Sequence, residues 1–180
     1  TALEFCEDET INFHLATDGS GYEAIIIPDG GYRNPFAESS LVYEEIEKGI
    51  SRNKLQTILN GMDVFSFGIT KAPQTIKKLT AALDISVNDI DYFSFHQANL
   101  FMNEKIRKKL KLSTVQVPYS LRNFGNTSSA SIPMTMITEL RDELSTKKLK
   151  HIGCGFGVGL SWGSVYFETD KIVVSDLIEI

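Results

Sequence analysis

Asp91-Tyr92-Phe93-Ser94-Phe95-His96-Gln97-Ala98-Asn99-Leu100 is the stretch from which the fold of the chain is read. Its aromatic run predicts a buried strand that ends at His96. From Leu100 to Leu112 apolar positions recur at helical spacing beneath a basic face, and Val115-Gln116-Val117 predicts a short strand stopped by Pro118. Strand, helix, strand is therefore the unit.

The same alternation extends outward. Downstream, residues 127–144 predict a helix entered through Ser128, Ser129, Ala130 and Ser131, with Pro133 tolerable in its first turns. Residues 150–156 and 161–169 predict two strands joined by Gly155-Phe156-Gly157-Val158-Gly159. Upstream, residues 11–17 and 22–27 read as a hairpin around Asp18-Gly19-Ser20-Gly21, and Pro28 to Pro35 holds enough breakers for a surface loop. Residues 41–83 read as helical, interrupted near Asn60-Gly61, with a long buried helix after Gly61 in which Pro73 is the place for a kink. Alternating strands and helices predict an α/β layered domain with a mixed sheet, a single domain over residues 1–180.

Composition narrows the function classes. The 180 residues are 42% hydrophobic and 23% charged, enough for a core and too apolar for a disordered chain. A net charge of -5 argues against nucleic acid as a general partner, because phosphate neutralisation needs surplus Lys and Arg. Two cysteines, Cys6 and Cys154, make no disulfide framework, and no apolar run is long enough to span a bilayer. A cytoplasmic setting is the expectation. The chain opens on Thr1 rather than Met, from which we expect a processed, truncated or proteolysed protein.

His96 stands at the predicted carboxyl end of a buried strand, where α/β proteins place ligands and catalytic groups. Asn126 precedes a helix start within Gly125-Asn126-Thr127-Ser128-Ser129-Ala130-Ser131, where small neighbours leave room for a substrate chain. An imidazole and a carboxamide are two donors that can converge on one developing negative charge. Taken singly, His96 also fits a histidine satisfied by backbone, and Asn126 fits an N-cap or turn residue. His14 and His151 have no supporting motif. The segment from Gly153 to Gly159 lacks both a Walker lysine and a dinucleotide fingerprint.

Jointly the motifs say more. His96-Gln97-Ala98-Asn99, the segment from Asn123 to Pro133, and Gly155 to Ser164 resemble, in order and spacing, the C-terminal half of β-ketoacyl-acyl-carrier-protein synthase III. Ala16 to Gly21 and the helix opened by Asn60-Gly61-Met62-Asp63-Val64-Phe65 resemble that family too. The resemblance implies a thiolase-like C-terminal half with a mixed five-stranded sheet layered with helices. It implies a decarboxylative Claisen condensation of an acyl group, delivered by acyl-CoA onto a cysteine, with malonyl carrier protein, and it implies no metal or cofactor.

By that resemblance His96 and Asn126 hydrogen-bond the malonyl thioester oxygen, Val158 supplies a backbone N–H to the oxyanion hole of the acyl-cysteine, and Asn99 lies near the pantetheine arm. Val158 replaces the usual glycine, and its side chain is expected to narrow the local space. Lys108 and Lys109, within the basic cluster of Lys105, Arg107 and Lys111, fall where the family docks its acidic carrier protein. A solvated helix face is the alternative for these lysines. Phe101 and Ser66 stand where typical members carry basic docking residues, and Met62 replaces a usual asparagine, so a different carrier or substrate is open.

The family's nucleophilic cysteine belongs to an N-terminal half absent from this chain, and neither Cys6 nor Cys154 matches its position. The chain alone is therefore expected to be inactive, with an apolar surface where a sister half would pack, and the parent enzyme is expected to be a homodimer. Two other readings stay open. One is an acyltransferase to an amine or hydroxyl in a specialised pathway, and the other is a non-catalytic subunit that supplies a docking face to a catalytic partner.

Overall fold

The computed structural model describes residues 10–178. Its first part runs through β1 (Asn12–Thr17), a 3-10 helix (Gly19–Ala24), β2 (Ile25–Ile26), β3 (Glu44–Glu47), β4 (Ile50–Arg52), β5 (Ile58–Leu59) and α1 (Gly61–Ala82). Then come β6 (Tyr92–Phe95), α2 (Leu100–Leu110), α3 (Leu121–Phe124), α4 (Ser131–Glu139), α5 (Arg141–Thr146), β7 (Lys148–Gly157) and β8 (Ser161–Asp170). Cys6 lies outside the described residues.

The chain divides into two compact units, the first comprising the residues up to Ala16, Gly68–Phe156 and those from Trp162 onward. Its sheet has the order β1-β8-β7-β6. β6 and β7 are parallel, with Tyr92 opposite His151 and Phe95 opposite Cys154. β7 and β8 are neighbours joined by three residues, a connection only an antiparallel pair can make, so the sheet is mixed. Side chains alternate between the faces of a strand, and both faces carry helices. On one face Cys154 Sγ lies 3.9 Å from the Ala72 carbonyl of α1. There too, His14 Nδ1 and Ser164 Oγ meet Thr75 Oγ1 at 2.7 and 3.1 Å. Gly68 lets α1 approach closely: a Cβ there would stand 2.7 Å from Met102 Sδ and 3.0 Å from the Phe156 ring. On the other face Gly153 lies beneath Ile132 of α4 and beside Val165. Phe93, Phe95, Ile76, Ile106 and Ile152 are completely buried between these layers.

The second unit holds Thr17–Phe67 and Gly157–Ser161. β2 pairs antiparallel with β5, and β3 with β4. The turn at Val158–Leu160 is held by Asp18, whose N–H donates to the Leu160 carbonyl at 2.8 Å while the Leu160 N–H donates back at 3.1 Å. Thr17 Oγ1 adds a bond to the same carbonyl at 3.0 Å.

Four expectations are corrected. The main sheet has four strands among the described residues rather than five, because residues 115–117 form a turn. Phe93 N–H does donate to the Gln116 carbonyl at 2.7 Å, but the Gln116 side chain closes the turn onto Ser113 and donates to Ile90 O at 3.0 Å. Pro118, with no N–H, ends any further pairing. Residues 11–27 are no hairpin: Asp18 Oδ1 accepts from the N–H and hydroxyl of Ser20, which starts a 3-10 helix, and β2 pairs elsewhere.

Residues 41–59 are short strands and turns rather than helix, with Gly49 at φ +78 turning β3 into β4. The helix expected over 127–144 is broken. Leu140 leaves helical geometry (φ -122, ψ 9) as it is buried with Leu144 and Leu149, against Tyr92, Met136 and Val174.

Candidate functional site

β6 delivers His96 from the sheet into the first unit's helical layer. Its N–H donates to Cys154 O of β7 at 2.8 Å, extending the parallel ladder by one bond. The ring is half-buried and meets Phe156 of β7 edge-on, with centroids 5.5 Å apart. Burial pulls the His96 pKa below the usual imidazole value, and a hydrogen-bond contact with the Ser128 backbone opposes that shift. The imidazole is thus neutral at pH 7 and held against a single loop.

That loop is the one bearing Asn126. Gly125 (φ +64) and Ser128 (φ +54) both adopt positive φ, and between them the chain folds so that Asn126 Oδ1 accepts from the Ser128 N–H at 2.9 Å. The carboxamide oxygen is thereby occupied, which leaves the exposed Nδ2 to donate outward. Ser128 touches both groups, its backbone meeting the His96 ring and its N–H the Asn126 side chain. Ser131 Oγ fastens the turn by donating to Ser128 O at 2.7 Å. His96 and the Asn126 loop are the two expected site elements that the fold brings together.

Each of the other candidates has its own setting. Asn99 caps α2, its Oδ1 accepting from Met102 N–H at 2.8 Å, which occupies half of its carboxamide. Val158 belongs to the second unit, with an exposed side chain in the turn held by Asp18. Lys108 and Lys109 are exposed, and Lys109 Nζ donates to the Ile69 carbonyl at 3.1 Å. Arg107 drops out of the basic face: it pairs with Glu104 at 2.8 Å and donates to Leu112 O at 2.6 Å, closing the end of α2. Arg107 holds the Glu104 carboxyl down to about 2, and Tyr119 adds a hydroxyl bond to it at 2.8 Å.

Cys154 is fully buried and its thiol is pushed up to about 12 by desolvation, so it presents no thiolate. His14 and His151 serve packing and hydrogen bonding within the first unit. Sequence reasoning passed over Phe156 and the Ser128 backbone. Phe156 was visible only as one residue of a glycine-rich segment, and a main-chain contact leaves no residue-type signal.

The family described as 3-oxoacyl-[acyl-carrier-protein (ACP)] synthase III C terminal matches residues 80–169, half of the 180 residues. The chain is 33% identical to a β-ketoacyl-[acyl-carrier-protein] synthase III of Clostridium acetobutylicum over 165 residues, which covers 92% of this chain and 48% of that protein. It is 36% identical to the enzyme of the same name from Streptococcus gordonii over 152 residues, covering 83% and 43%. Among solved structures, a 3-oxoacyl-(acyl-carrier protein) synthase from Burkholderia xenovorans superposes with a TM-score of 0.82 at 32% identity, covering 94% of this chain and 47% of that one. A priming β-ketosynthase of the R1128 polyketide pathway shares the fold at TM-score 0.67 and 22% identity, covering 88% and 44%. The chain spans about half the length of the curated relatives it matches.

Proposed function

This chain belongs to the 3-oxoacyl-[acyl-carrier-protein] synthase III C-terminal family, and from that premise we propose that it supplies the enolate-stabilising half of a condensing enzyme. The acceptor of its chemistry is a malonyl thioester on acyl carrier protein. Breaking the bond to the malonyl carboxylate releases carbon dioxide and leaves the electron pair as a thioester enolate. Its negative oxygen takes hydrogen bonds from the His96 ring N–H and Asn126 Nδ2. The enolate carbon then attacks the thioester carbonyl of an acyl group carried on a cysteine, forming the new carbon–carbon bond and expelling the thiolate.

The observation that carries this reading is the sharing of Ser128 by the buried His96 ring and the Asn126 carboxamide, with the latter's Nδ2 left as a donor. Neutral His96 keeps one ring N–H, and in this reading that donor turns from the Ser128 backbone to the enolate oxygen when substrate binds. As the family resemblance implies, the cysteine comes from an N-terminal half and is loaded by an acyl-CoA thioester; Cys154, buried with its thiol pushed up to about 12, does not supply it. In the same reading the backbone N–H of Val158 serves the acyl-cysteine oxyanion, Asn99 Nδ2 faces the pantetheine arm, and Lys108 with Lys109 receives the acidic carrier. The enzyme works as a homodimer in the cytoplasm, and no helix among the described residues is long and apolar enough to cross a membrane.

Decarboxylation of malonyl carrier protein by the complete enzyme tests this directly. Each of His96→Ala and Asn126→Ala removes a preorganised donor worth about 3 kcal/mol, so each lowers kcat by about 100-fold. Wild-type rates in both variants would refute the assignment.

A further inference from the structure

We propose that Gln97 and Asn103 are positioning residues that hold the His96 imidazole in place by gripping the two backbone carbonyls on either side of its Cα. Gln97 Nε2 donates to Phe95 O at 2.9 Å, and Asn103 Nδ2, from inside α2, donates to His96 O at 3.2 Å. Ala98 N–H adds a second bond to that same oxygen at 3.0 Å, and the His96 N–H is already fixed to β7. The backbone of one residue is therefore tied to its own strand end, to the neighbouring strand and to the following helix. The Asn103 N–H, bonded to Asn99 O at 3.1 Å, closes the same turn.

Stability alone does not account for this pair, although each donor satisfies a backbone carbonyl. Both side chains are 0% exposed, and Gln97 Oε1 and Asn103 Oδ1 have no hydrogen-bond partner among the described residues. A buried acceptor without a partner costs free energy, and Met or Leu of similar volume would remove that cost. Asn is also a poorer helix former than Leu at an interior position such as Asn103. What the two carboxamides supply is their donors, both spent on the His96 backbone. A donor aimed at a developing charge must be held to within a fraction of an ångström, and a misplacement of about 1 Å costs up to about 100-fold in rate. The catalytic consequence rests on the proposed role of His96, whereas the positioning does not.

The test uses Asn103→Leu and Gln97→Met, each alone and combined with His96→Ala, in the complete enzyme. Each is expected to lower kcat for malonyl decarboxylation about tenfold with KM unchanged, and to have no further effect once His96 is Ala. An equal loss in the His96→Ala background, or no loss where His96→Ala itself is severely impaired, overturns the proposal. If His96→Ala leaves the rate intact, the functional reading fails instead, and nitrogen-15 spectra of the imidazoles in this chain decide the positioning. The His96 titration midpoint is expected to rise toward that of an exposed imidazole in either variant, while His151, the internal control for folding, stays where it is. Unchanged His96 resonances in both variants overturn the proposal, and Gln97→Met decides it should Asn103→Leu not fold.

Discussion

His151 shows most directly how one residue links packing to solution behaviour. It is 1% exposed and lies between Phe167, stacked at 5.0 Å, and Tyr92 at 6.2 Å, with Nε2 bonded to Thr169 Oγ1 at 2.9 Å and Nδ1 without a partner among the described residues. Burial lowers its pKa from 6.5 to about 4, with Asp91 opposing. Between those values the unfolded chain binds a proton that the folded chain refuses, so stability is fully present above pH 6.5 and falls as the pH drops toward 4. Two and a half pKa units correspond to about 3 kcal/mol. Urea unfolding at pH 7 and pH 4.5 measures it: wild type is expected to lose about 2–3 kcal/mol more than His151→Phe, which keeps an aromatic ring between its neighbours and cannot take a proton. Equal losses in the two proteins would assign the acid sensitivity to other groups.

At the scale of elements, the loop that presents Asn126 depends on backbone freedom at Gly125. Its φ of +64 and ψ of -152 fall in a region open essentially to glycine, yet a Cβ there would meet nothing within 4 Å. The cost of Gly125→Ala is thus conformational, about 1–3 kcal/mol, and it falls on the turn in which Ser128 N–H bonds Asn126. Gly155→Ala is the control, since its Cβ also meets nothing and its φ lies outside the left-handed region. Urea unfolding is expected to show the loss for Gly125→Ala alone, with faster hydrogen exchange at the Ser128 amide. Equal stability of the two variants would mean that the loop is held without Gly125.

Local sequence carries some of these elements and not others. β6 was legible from its aromatic run, and α2, β7 and β8 from their spacing and from the Gly or capping Asn beside them. Residues 44–52 were not, because Glu44, Glu45, Glu47 and Lys48 favour helix by propensity while pairing across Gly49 makes them strands. The meeting of His96 with Ser128 was legible only through the resemblance of ordered motifs, since no periodicity links residues so far apart in the chain.

On the scale of the whole molecule, the alternation that buries Asn12, His14 and Ala16 partway leaves Phe13 61% and Leu15 74% exposed on the opposite side of β1, with Ile11 at 47%. β1 is an edge strand of the main sheet, and Gly163 on β8 leaves room for Leu15, where a Cβ would stand 2.5 Å from its Cδ2. Apolar side chains lining a sheet face at its edge are a driving force for association, because each gives up water-exposed surface only when a second surface meets it. Position-by-position reading cannot reveal such a face, since every residue involved alternates as an ordinary strand does. Phe13→Ser combined with Leu15→Ser therefore separates adhesion from folding. The double variant is expected to unfold within about 1 kcal/mol of wild type, because both side chains already contact solvent in the folded state. Sedimentation over a concentration series is expected to show wild type self-associating at concentrations where the variant stays monomeric. A variant that associates like wild type would move the adhesive surface elsewhere, and one that unfolds would place Phe13 and Leu15 in the core.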